Sequence, residues 1–261
     1  MRREDLEHKL LSGGVIHIDN CPTYKVTLKD MADYGFGVMQ EIIALMASDD
    51  ATASKLLSNI DDTVSTYYVL IIGMIQELRG VGVQDKKDDL VLYNAILAFL
   101  SLFFKREVCF DESIGFVVKD DSNNILFVLN ESNYDQFRNI LKQRNCLAGL
   151  DDFDDDNPAN EMAAKLLEKK RMLKEKLRKT QVSQDEDGIS MADLISIFAE
   201  AEKMPLQDVY NNYDVYQFNN QFNRLKIMED YHVNIQALVA GAKPEDVKLQ
   251  HWISKIKSDK K

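Results

Sequence analysis

Apolar and polar positions alternate along most of this chain at the helical period, and short β-prone runs interrupt them at two places. Val15–Ile18 is β-branched, follows Ser12-Gly13-Gly14 and ends at Asp19-Asn20-Cys21-Pro22, so it predicts a short N-terminal hairpin with Tyr24-Lys25-Val26 as the returning strand. Thr27 then reads as an N-cap with Asp30 at the capping-box distance. One helix is predicted from there to Ala47, with Gly35-Phe36-Gly37 inside it for close helix packing. Further helices are predicted over Ala51–Asn59, Asp62–Leu78 and Leu90–Phe104, the last apolar on nearly all sides and therefore central. Val108–Phe110 favours β structure, and Gly115–Leu129 reads as a β-hairpin around the turn Lys119–Asn124. A short helix over Tyr134–Arg144 closes this half, with Tyr134, Phe137, Ile140 and Leu141 on one face.

Beyond that point the pattern changes. Asp151–Pro158 is acidic, and Ala159–Gln181 is a charged helix with only a thin apolar stripe, its basic residues concentrated between Lys165 and Lys179. Ser190–Lys257 is the longest strongly patterned stretch. Ser190 and Asp193 suggest an N-cap pair, and Leu194, Ile195, Phe198 and Ala199 give one apolar face. Met204-Pro205 breaks that helix, because the residue before a proline avoids the α region. A long helix is predicted from Pro205 towards Ala240, ended by Gly241, and a final short helix over Pro244–Lys257. The fold class is therefore mainly α: a helical N-terminal domain over residues 1–150 with small β-hairpin inserts (one near 108–129), an acidic linker and charged helix over 151–189, and a C-terminal helical unit over 190–261.

Composition narrows the setting. The 261 residues carry a formal net charge of −11, which argues against non-specific nucleic-acid binding. Three widely spaced cysteines form no CxxC pair, so neither a zinc knuckle nor a disulfide framework is indicated, and free thiols fit a reducing cytosol. The charge-free runs beginning at Thr63 and Leu90 fall short of the ~18–20 residues a membrane span needs, and the first residues lack the apolar core of a signal peptide. Chemistry is hard to place. The Gly35-Phe36-Gly37 run has Gln40 where a dinucleotide loop needs its third glycine. With Asp152 as the first EF-hand ligand, Asn157 takes the glycine position and Ala163 that of the closing glutamate. No GxSxG, HExxH or Walker A motif occurs. The sequence thus offers no catalytic, cofactor-binding or metal-ligating residues.

The Met204-Pro205 hinge, VYNNYDVYQFNNQFNRL (209–225), IQALVAGA (235–242), LQHWISKI (249–256) and the N-terminal TYKVTLKDMADYG (23–35) resemble small assembly proteins from the tail and baseplate gene clusters of tailed bacteriophages, such as tail assembly chaperones and baseplate-hub assembly proteins. The resemblance implies a non-enzymatic protein that binds another tail or baseplate component, such as the tape-measure protein, in the cytoplasm of the infected host. A structural virion subunit of the baseplate or neck is the alternative, and an enzyme of unrecognised class a third reading. No cofactor and no membrane partner are expected, and nothing in the sequence sets an oligomeric state. Candidate partner-binding residues are Tyr210, Tyr213, Tyr216, Phe218, Phe222 and Trp252, since tyrosine and tryptophan often anchor interfaces. The same spacing also fits core aromatics.

Overall fold

Among the described residues, ten helices and two small antiparallel sheets make up the regular structure, in agreement with the mainly α expectation. The structure is a computed structural model and describes residues 2–54, 64–79, 88–147, 189–243, 247 and 251–253. The chain forms two units: Met1–Leu147 with Tyr210–Asn219, and Ala148–Val209 with Asn220–Lys261. The predicted acidic linker, the charged helix with its basic stretch 165–179, and most of the last predicted helix lie outside the described residues.

In the first unit, α1 (Arg3–Ser12) is a helix that the apolar pattern does not announce. The backbone N–H groups of Gly13 and Gly14 close it by donating to the carbonyls of Leu10 and Lys9. Strands β1 (Ile16–Ile18) and β2 (Cys21–Thr23) form the expected hairpin, but the returning strand starts three residues earlier than Tyr24. Asp19 takes a left-handed conformation (φ 50), so Asp19-Asn20 suffices as the turn and Ile18 pairs with Cys21. The hydroxyl of Thr23 donates to the Ile16 carbonyl at 2.7 Å.

Helix α2 (Leu28–Tyr34) begins with the predicted box: the Thr27 hydroxyl accepts the Asp30 N–H, and the Asp30 carboxylate accepts the Thr27 N–H at 2.9 Å. Thr27→Ala is expected to cost about 0.5–2 kcal/mol, measured by urea unfolding. The single predicted helix is in fact two. Gly35 (φ 102, ψ 105) leaves the helical region and α3 (Phe36–Ala47) starts anew behind it. Close packing does not explain these glycines: a Cβ on Gly37 meets nothing within 4 Å, and one on Gly35 meets only Val38 at 3.8 Å. Gly35 is required for its backbone angle.

Helix α4 (Asp50–Ser54) is the described part of the helix expected over 51–59. Helix α5 (Thr66–Leu78) starts at Thr66 rather than Asp62, because the Ser65 hydroxyl accepts the Tyr68 N–H and caps it there. Helix α6 (Asp88–Phe104) is central as predicted; Ile96, Phe99, Leu100, Phe103 and Phe104 are all buried. Strands β3 (Val108–Asp111), β4 (Gly115–Lys119) and β5 (Ile125–Leu129) form one sheet in that order, so the predicted hairpin carries an additional antiparallel strand. The register places Val108, Phe110, Phe116, Val118, Phe127 and Leu129 on one face, and Phe104 meets Phe127 there. Helix α7 (Glu131–Arg144) starts three residues before Tyr134, because Asn130 and Asn133 form a capping box. The core closes with Phe103 edge-on to Phe137 at 5.4 Å and the Tyr134 hydroxyl donating to the Met46 carbonyl.

One polar hub ties α4, α5 and α7 together. The Asp50 carboxylate accepts the Thr66 N–H at 2.9 Å, the Thr66 hydroxyl, and Arg138 Nη1 at 2.8 Å. Burial pushes the Asp50 carboxyl up, but the Thr66 bonds and the Arg138 charge together hold it below its ordinary value. A lowered folded-state pKa contributes stability above the unfolded value near 3.8, lost as pH falls through the folded value. Asp50→Asn is therefore expected to lower stability at neutral pH and to flatten its fall below about pH 4, read from urea midpoints across pH.

In the second unit, α8 (Met191–Ala201) has the predicted Ser190–Asp193 capping box and buries Ile195, Phe198 and Ala199. Met204 and Pro205 separate it from α9 (Leu206–Asn212), as expected. The predicted long helix from Pro205 is broken: α9 ends at Asn212 and α10 (Val215–Val239) begins two residues later. Gly241 (φ 101) follows the end of α10, where a stop was expected.

Candidate functional site

The break between α9 and α10 is a fourth reciprocal cap. Asp214 Oδ1 accepts the Gln217 N–H at 2.8 Å, and Gln217 Oε1 accepts the Asp214 N–H at 3.2 Å. The sequence signal was available as Asp214-Val215-Tyr216-Gln217. The carbonyl of Tyr213, freed from helical bonding, accepts the Leu28 N–H at the start of α2.

Around this break, Tyr210–Asn219 is built into the first unit by long-range polar contacts. Lys25 Nζ donates to the Asn212 carbonyl and to Gln217 Oε1, and Gln217 Nε2 donates to the Leu11 carbonyl at 2.8 Å. Arg144, at the end of α7, is 3 % exposed. Its Nη2 donates to the Gly14 carbonyl at 2.7 Å, and its Nη1 lies 3.4 Å from Asp214 Oδ2. Burial lowers the Arg144 pKa against the pull of Asp214. Burial raises that of Asp214 against the Gln217 N–H, Arg144 and Lys25. Two ions removed from water gain little net stability from each other, but either one left alone is costly. The pair joins the end of α7 to the cap at the start of α10. Tyr216 packs into the core of this unit, and burial, then Glu7, Cys146 and Asp214, push its hydroxyl up to about 12.

The six candidate aromatics thus divide. Tyr216 and Phe218 are buried, and Tyr210 and Tyr213 are half-buried, all in the segment built into the first unit. Phe222 is half-buried and Trp252 is 46 % exposed, both in the second unit. Trp252 stacks on His251 with ring centroids 6.0 Å apart, and His251 meets Tyr231 at 5.2 Å. Arg224 Nη1 donates to the Trp252 carbonyl, and His251 Nδ1 accepts the Ile253 N–H. The periodicity that selected the six did not select Arg224, Tyr231 or His251. Ile197, Leu206, Val233, Val239 and Ile253 are further exposed apolar residues of this unit. Among the described residues, no group of three or more His, Cys, Asp or Glu is placed to hold a metal ion, and no helix is long and apolar enough to cross a membrane.

Residues 179–257 match the family model described as the YomV second domain. This match covers the stretch that carries most of the resemblance and links it to a phage-related protein family. No curated protein and no solved structure matches the sequence.

Proposed function

We propose that this chain is a non-enzymatic phage protein that binds another tail or baseplate component, such as the tape-measure protein, during assembly in the cytoplasm of the infected host. The observation that carries the reading is the match of residues 179–257 to a phage-related domain, over the same segment that resembles tail and baseplate assembly proteins. Two physical features support it. A net charge of −11 keeps copies of the chain apart. In the second unit, Trp252 and Ile253 leave apolar surface in solvent, 46 % and 68 % exposed, and tryptophan is a common interface anchor.

The test is co-expression of the full chain with the tape-measure product of the same phage, followed by affinity purification of one partner. Stoichiometric co-purification is expected; its absence rejects the tape-measure partner. Mass spectrometry of purified particles then distinguishes a transient assembly factor, absent from the virion, from a structural subunit present in defined copy number.

A further inference from the structure

We propose that the first unit has a binding site for one water molecule, held between Arg144 and Asp214. Arg144 and Asp214 line a cavity of about 10 Å³ together with Asn145, Val26, Phe99 and Phe103. That volume matches the space one water centre occupies. A guanidinium carries five N–H donors. Nη1 and Nη2 of Arg144 reach Asp214 and Gly14, whereas Nε is buried and has no protein acceptor. A buried donor without a partner is costly, and native structures satisfy such groups through protein or ordered water. Water needs two to four polar partners, and the walls supply two: Arg144 Nε–H as donor and the Asp214 carboxylate as acceptor.

Charge and size select the ligand. An anion would face the Asp214 carboxylate, and a cation the Arg144 guanidinium, in a setting where burial strengthens repulsion. An organic molecule exceeds the volume. Water alone both accepts from Nε and donates to Asp214. The 3.4 Å separation of Nη1 and Oδ2 is long for a charged hydrogen bond, so a bridging water adds a second connection between α7 and the cap of α10.

The test is a crystal structure of the full chain grown in bromide, at a resolution that shows ordered water. One oxygen peak is expected within hydrogen-bonding distance of Arg144 Nε and Asp214, without anomalous signal. An empty cavity, a bromide peak there, or Nε bonded to a protein acceptor overturns the proposal. Val26→Ile gives a second reading, because the added methylene displaces the water and strands Nε. Its Tm is expected to fall by about 2–4 °C. A Tm equal to or above that of the unsubstituted chain marks the filling of a dry apolar cavity and also overturns it.

Discussion

Replacing Arg144 by methionine is expected to destabilise the protein by about 3–5 kcal/mol, the range for removing one partner of a buried ion pair. The substitution leaves Asp214 charged, 2 % exposed and without its guanidinium, and it frees the Gly14 carbonyl. Asp214→Asn should cost less. Asparagine is as good an N-cap as aspartate, so the bond from the Gln217 N–H survives while the charge disappears. The double variant should be less destabilised than the sum of the two, because the second change removes the charge that the first stranded. Urea unfolding of all three variants measures this. An additive pair of small effects would show that the contact between α7 and the start of α10 is solvated and weak.

The second large effect lies in the aromatic core. Phe103→Ala should cost about 3–5 kcal/mol, the range for deleting a buried phenylalanine side chain with partial collapse of the hole. Phe103 is 1 % exposed and touches three rings: Phe99 stacked at 6.0 Å, Phe104 at 5.5 Å and Phe137 at 5.4 Å, the last two edge-on. Each edge-on pair adds to what burial alone contributes. Phe103→Leu keeps most of the volume and should lose much less. Its backbone carbonyl accepts the Tyr24 N–H in either variant, so the comparison isolates the side chain.

What could be read from the residues follows the range of the interaction responsible. The Thr27–Asp30 and Ser190–Asp193 boxes are contacts across three residues, and both stand where the spacing puts them. The burial of α6 was legible because its apolar residues surround the helix. The breaks at Gly35 and Tyr213-Asp214 do not show in the helical periodicity, for different reasons. Gly35 lies inside a continuous apolar stripe that suggests close packing, but only its backbone angle needs glycine. Asp214 sits within a run whose helical spacing continues past it, and its cap outweighed that spacing. The junction of Tyr210–Asn219 with residues 11–28 and Arg144 was illegible, since no periodicity connects positions that far apart. Aromatic spacing likewise could not separate Tyr216 and Phe218, which are buried, from Trp252, which is not.

The role proposed for the second unit can be measured as the affinity of the full chain for the tape-measure protein, with Trp252→Ala beside it in calorimetric titrations. Saturable binding is predicted for the unsubstituted chain. Truncating an interface anchor costs about 2 kcal/mol or more, so Trp252→Ala should bind about 30-fold more weakly while unfolding at the same urea concentration. Absence of saturable binding by the unsubstituted chain would contradict the proposed role.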